Sequence, residues 1–232
     1  FMQFDNRFLY EGGNPTLQPE KVFNVEAMML YKWLNVSVGY KYLKDVMEWT
    51  KYIYPGKEFA YNTSLNFDHK QLLYASVNVS PKFGIFRPTW GFNYNQQFFD
   101  TKKYGASKAL SKPLLSCSLN NNFALSETMN VAIRLNASTT HADGFLMMKS
   151  GYSVNLQFNK SFANRTWIIY LSANDIFKTA KERWTMYGLG AGTTKDCYNY
   201  TRCISLQVTY NFNAKRSKYK GTGAGNEEKS RL

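Results

Sequence analysis

Two histidines, His69 and His141, are the side chains most able to move a proton near neutral pH. His141-Ala142-Asp143 sets an imidazole near a carboxylate, the makings of an acid–base pair at the rim of a hydrolase. A lone loop histidine beside an aspartate is more commonly just solvated. No serine sits in a nucleophile elbow, and 188–192 (Gly-Leu-Gly-Ala-Gly), a flexible loop by composition, lacks the Lys and Ser/Thr of a phosphate loop. No set of His, Cys, Asp and Glu converges with metal-ligand spacing. The residues therefore predict no enzyme, no metal and no cofactor. Cys197 and Cys203 flank a turn-like stretch and could pair in an oxidising compartment, while Cys117 reads as a small hydrophobe on an apolar strand face.

The chemistry that does recur is amide and hydroxyl. In 203–213, Ile204, Leu206, Val208, Tyr210 and Phe212 alternate with Ser205, Gln207, Thr209, Asn211 and Asn213. Strand side chains alternate with period two, so this stretch is a ribbon with one apolar and one polar face. The pattern repeats along the chain. The polar positions include Asn93, Asn95, Asn120, Asn122, Asn130, Arg134, Asn155, Gln157, Gln207 and Asn211. Almost all are uncharged; Arg134 is the one charge centred among them, placed to meet a carboxylate. Such a face suits a wet lumen, a plug or a polar solute, or simply packing and water.

These residues need strands to position them. The 232 residues are 44% hydrophobic, 17% aromatic and only 19% charged, with 17 Tyr and 17 Phe, a composition that favours strands over helices or disorder. Mean hydropathy is −0.44 and no run of about 18 apolar residues exists, which excludes a membrane-crossing helix but not a barrel. Nine candidate strands follow, centred near residues 23–31, 34–42, 61–79, 90–97, 115–125, 129–137, 152–159, 167–174 and 203–213. A hairpin at 68–71 would split the third; unbroken parity from Tyr61 to Val79 favours one long strand, with His69 and Gln71 near a membrane boundary. Residues 1–20 read as irregular because Pro15 and Pro19 exclude a central strand.

Connections near 32, 81–87, 126–128 and 160–165 are short, and those near 47–60, 100–112, 138–148 and 177–201 are long. Short turns at one rim, long loops at the other and aromatics at strand ends (Tyr42, Trp90, Phe123, Trp167, Tyr210, Phe212) are the pattern of an outer-membrane barrel. The prediction is an all-β, antiparallel, up-and-down transmembrane β-barrel, here a roughly nine-strand portion. Residues 1–20 form a loop leading into it, 21–213 the barrel portion, and 214–232 a basic disordered tail. Nine strands leave an edge that lipid cannot satisfy, so further strands are expected from residues before Phe1 or, as the second choice, from other subunits. Net charge is +13. Part lies in the tail and part in the loop carrying Lys102, Lys103, Lys108 and Lys112, which could contact lipopolysaccharide phosphates. No nucleic-acid motif accompanies the charge.

Residues 13–20 (Gly-Asn-Pro-Thr-Leu-Gln-Pro-Glu) resemble the Asn-Pro-x-Leu-x-Pro-Glu signature of TonB-dependent outer-membrane receptor barrels. Residues 80–88 (Ser-Pro-Lys-Phe-Gly-Ile-Phe-Arg-Pro), 174–177 (Asn-Asp-Ile-Phe) and the tail from Ser217 are similar to the outer-membrane β-barrel family of Bacteroidetes-type bacteria. The resemblance implies a barrel of about 22 strands around a plug domain, with nutrient uptake energised by a TonB-type transducer. It places the protein in the bacterial outer membrane, long loops extracellular and tail periplasmic. Its partners would be membrane lipid and lipopolysaccharide, the plug and upstream strands. A structural or adhesive barrel without transport is the alternative, and a rim hydrolase a second one.

Overall fold

The computed structural model describes residues 2–212; the expected tail, 214–232, lies outside them. Two short strands come first, β1 (Met2–Asn6) and β2 (Leu9–Gly12). Seven long ones follow, interrupted by a small hairpin: β3 (Lys21–Tyr31), β4 (Leu34–Ile53), β5 (Ala60–Val79), β6 (Phe86–Phe98), β7 (Leu114–Ser126), β8 (Met129–Ser138) and, after the hairpin, β11 (Gly151–Phe162). The hairpin is β9 (His141–Asp143) and β10 (Leu146–Met148). The chain then runs through β12 (Trp167–Asn174), β13 (Lys181–Tyr187), β14 (Gly192–Tyr198) and β15 (Cys203–Tyr210).

The large sheet runs β3-β4-β5-β6-β7-β8-β11-β12-β15, every neighbouring pair antiparallel. Among the described residues β3 pairs only with β4 and β15 only with β12, so the sheet has two free edges and does not close. Its apolar face is largely uncovered: Val38, Leu73, Phe92, Leu115, Ile133, Leu156 and Leu171 are all exposed. An apolar patch of this extent on a folded chain marks contact with lipid or another apolar partner. Aromatic rings cluster at the short-turn rim, where Phe86 stacks on Phe123 at 5.0 Å and Trp167 lies 4.5 Å from Tyr210. Asn121 is the polar intruder on the apolar face of β7, and the Trp90 indole Nε1 donates to its Oδ1 at 3.0 Å.

The long connections build a cap. Sheet order β14-β13-β10-β9 makes a second, four-stranded sheet from two of them. Residues 13–20 carry no strand, as expected, but residues 2–12 are not irregular. An Asx turn, with Phe8 N donating to Asn6 Oδ1 at 2.9 Å, folds β1 onto β2, and β2 adds in parallel to the top of β5.

The β4–β5 pair is one continuous ladder, as the parity suggests, but its faces exchange part-way. Below the exchange, Ser37 and Gly39 are buried and Val38 and Tyr40 exposed; above it, Val46 and Thr50 are buried and Met47 and Trp49 exposed. Phe67 and Lys70, of opposite parity on β5, both lie against the Phe99 ring. Asp45, at φ 55°, stands at the exchange. One left-handed residue turns the strand enough to swap its faces. Thus Tyr61, Thr63 and Phe67 do not share a face with Leu73 and Val77. The lower set meets the exterior, and the upper set is buried beneath the cap.

Candidate functional site

The kink at Asp45 interrupts the ladder opposite Asp68, and the 14–20 motif supplies replacement partners. Met47 N donates to the Glu20 carboxylate at 3.2 Å. Asn66 Nδ2 donates to the Asp45 carbonyl at 2.7 Å and to the Gln18 carbonyl at 2.9 Å, while its Oδ1 accepts from Gln18 N at 2.7 Å. The motif is therefore a clamp across the face exchange. Just below the kink, Lys70, opposite Leu43, is buried and reaches up to pair with Glu48 at 2.6 Å and Asp143 at 3.6 Å.

The tip of the β9–β10 hairpin plugs into this region. Phe145 is fully buried, with its ring 4.9 Å from Phe67 and 5.3 Å from Phe99. Gln97, at the top of the polar face of β6, accepts from Gly144 N at 2.8 Å and donates to the carbonyls of Leu110 (2.7 Å) and Gly144 (3.3 Å). Gly144 has φ 52°, and a Cβ there would collide with Glu48. The glycine run 188–192, expected to be flexible, is the docked β13–β14 turn. Leu189 N donates to the Lys51 carbonyl at 2.6 Å, and Gly188 has no room for a side chain.

The polar face is the side over which the cap folds. Thr89, Asn120, Arg134 and Asn155 stand in one cross-strand row from β6 to β11. Arg134 Nε donates to Asn120 Oδ1 at 3.4 Å, and among the described residues no carboxylate pairs with Arg134. Two rows above, Asn93 faces Ser76 and Ser116, and Asn95 lies between Tyr74 and Leu114. Nearer the short turns, Asn122 faces Arg87 and Ala132, and Gln157 faces Ala132 and Ser172. Asn130 faces Asn159, and Gln207 faces Tyr170.

Two of the ten polar-face residues have evident structural duties. Asn155 Oδ1 accepts from Asp175 N at 2.8 Å. Asn211 Nδ2 donates to the Arg165 carbonyl at 2.9 Å, and its N–H to that of Thr166 at 2.8 Å. It thereby holds a turn in which Ala163, Asn164 and Arg165 all have positive φ.

The remaining expected residues are placed as follows. Lys102, Lys103, Lys108 and Lys112 are all exposed on the connection between β6 and β7, with Lys103 3.3 Å from Asp68. Thr101, fully buried, orders that connection by donating to the Lys108 carbonyl and accepting from Leu110 N. His141 Nδ1 lies 2.9 Å from the Thr139 carbonyl while Asp143 turns to Lys70, so the two do not form a pair. The Cys197–Cys203 bridge is not formed: Cys197 Sγ sits in the cap against Glu182 and Asn199, and Cys203 accepts from Asn174 Nδ2 on β12.

Sequence reading missed several organising residues. Asp175, in the 174–177 motif, is buried at φ 45°. Burial acts to raise its pKa, but Thr201 Oγ1 and the amides of Thr179 and Ala180 outweigh it and hold the carboxyl below the ordinary value. Glu182 accepts from Lys195 Nζ (2.8 Å), Trp184 Nε1 (3.0 Å) and Asn199 Nδ2 (3.1 Å), which brings its pKa down to about 2. Between cap and polar face lies a cavity of about 600 Å³, floored by Asn93, Ser116, Asn136 and Ser153 and walled by β13.

The sheet, its apolar exterior and its polar, capped face now stand beside known proteins. Residues 1–210 match the outer membrane protein beta-barrel family. The chain belongs to that family. In a barrel of this family the apolar face meets lipid. A solved structure, in-vitro folded OmpT, an outer membrane protein of Vibrio cholerae, is similar at TM-score 0.45 and 11% identity, over 83% of this chain and 56% of that one. The chain thus spans about half the length of that protein. No curated protein matches.

Proposed function

We propose that this outer-membrane barrel chain is part of a TonB-dependent receptor that imports a polar nutrient. The observation that carries the reading is the polar sheet face, dominated by amides and hydroxyls and covered at one end by an ordered cap. A lumen serving only as scaffold needs no such face, whereas a solute path or a plug surface requires exchangeable hydrogen-bond partners. The motif at 14–20, working here as a clamp, is the part of the chain most similar to those receptors.

The free edges of β3 and β15 carry unpaired ladder groups that lipid cannot satisfy. Further strands of the same barrel, to a total of about 22, cover them and surround a plug. In this reading the cap is extracellular, and the short turns and the tail are periplasmic. Lys102, Lys103, Lys108 and Lys112 then lie where lipopolysaccharide phosphates are found. No residue is assigned a catalytic role.

The test is capture of the periplasmic domain of a TonB-type transducer by the full-length protein, together with loss of uptake when the transducer gene is deleted. A full-length protein without a plug, or one that ignores the transducer, sinks the import reading. It would leave the structural or adhesive barrel in its place.

A further inference from the structure

The cavity beneath the cap has a charge that its floor does not. Lys149, Lys181 and Arg183 line it, and among the described residues Glu182 is the only carboxylate that does. Glu182 is already engaged by Lys195, Trp184 and Asn199, so its charge is spent inside the cap. Among the described residues Lys149, Lys181 and Arg183 have no carboxylate partner. Arg183 Nη2 donates to the Ser150 carbonyl at 2.6 Å, which fixes the guanidinium, yet its buried Nε has no acceptor. A buried donor left without an acceptor is costly. An adjoining cavity of about 540 Å³ shares Lys181 and Arg183 and adds Lys178.

The opposite wall is neutral and rich in hydrogen-bonding groups, with Asn93, Ser116, Asn136 and Ser153 presented on a rigid sheet. The volume falls within the range of small-ligand sites, roughly 300–1,000 Å³. Cations on one wall and amides and hydroxyls on the other are complementary to a solute with an anionic group on a hydroxylated frame. Arg134 lies two residues below Asn136 on β8, the next charge along the same face.

We propose that this cavity binds an acidic saccharide, its carboxylate at Arg183, Lys181 and Lys149 and its hydroxyls on the Asn/Ser floor. The inference rests on the import reading and names the substrate class for it. Arg183, its guanidinium fixed by the Ser150 carbonyl, pairs with the carboxylate from the cavity wall. The two lysines attract and retain it, and the floor selects the hydroxylated frame.

The experiment is equilibrium binding to the full-length protein in detergent, with digalacturonate, neutral galactobiose, glucose 6-phosphate and inorganic phosphate as probes. Digalacturonate should bind best, and its affinity should fall with salt. The Lys149→Met/Lys181→Met double variant should weaken it by roughly tenfold per cation removed, and the Lys149→Arg/Lys181→Arg control should retain it. Galactobiose binding as tightly as digalacturonate, or an unchanged affinity in the methionine variant, would overturn the proposal. Inorganic phosphate or glucose 6-phosphate binding as tightly as digalacturonate would overturn the acidic-saccharide assignment. Binding needs no energy source, so the two readings fail separately. Selective binding with transducer-independent uptake defeats import alone, and transducer-dependent uptake without anion preference defeats the cavity alone.

Discussion

Replacing Phe145 with alanine should release the cap from the barrel without unfolding the barrel. The ring is fully buried among Phe67, Phe99, Val46, Leu43 and Ala106, at the tip of a hairpin whose two strands are three residues each. Truncating a buried phenylalanine costs about 3–5 kcal/mol, and two aromatic contacts are lost with it. The hairpin tip can relax into the space, so the lower end, about 3 kcal/mol, is the working figure. That corresponds to roughly a hundredfold larger open population of the cap.

Hydrogen exchange reads this opening amide by amide. Gly144, Ala142 and Tyr187, whose N–H groups bond to Gln97, Lys112 and Phe145, should exchange about a hundredfold faster. Amides in the β7–β8 ladder should not change. Phe145→Leu, which keeps most of the volume, should show a fraction of the effect. Unchanged protection at Gly144 and Tyr187 would refute the hairpin-plug account. Equal loss of protection across β7 and β8 would show instead that cap and barrel open as one unit.

The other predictions concern the cap's acid and the polar face. Glu182 has its pKa lowered from 4.5 to about 2, so its contribution to cap stability is fully present above pH 4.5 and fades as pH falls toward 2. Trp184 fluorescence followed through that window should show a transition that Glu182→Gln flattens; an identical profile in the variant would discount the Lys195–Trp184–Asn199 network. At Gly39 a Cβ would stand 2.2 Å from the Tyr74 ring, whose hydroxyl donates to Asn24 at 2.9 Å. Gly39→Ala should cost about 1–3 kcal/mol through overpacking, read as a lower thermal midpoint of the barrel. Tyr74→Ala in the same background should recover part of the loss, and strictly additive effects would argue against direct contact.

The sequence by itself determined the strands and their two faces. Period-two alternation is a local property of the chain. Stretches such as Met129 to Ala137 therefore announce both strand and sidedness, and loop lengths announce which strand ends lie together. The Asn/Ser/Gln face was legible for the same reason. Tertiary structure alone decided what happens above the lipid-facing band. The parity of Tyr61 to Val79 is unbroken in sequence, yet Asp45 on the neighbouring strand exchanges the faces, because one left-handed residue redirects a ladder without leaving a periodic trace. The cap strands of three to seven residues are too short to carry a period. Their order comes from Phe145, Gln97 and Gly188 meeting residues dozens of positions away. The cluster of Lys149, Lys181 and Arg183 is likewise invisible in one dimension, since β10 and β13 are neighbours only once the cap has folded.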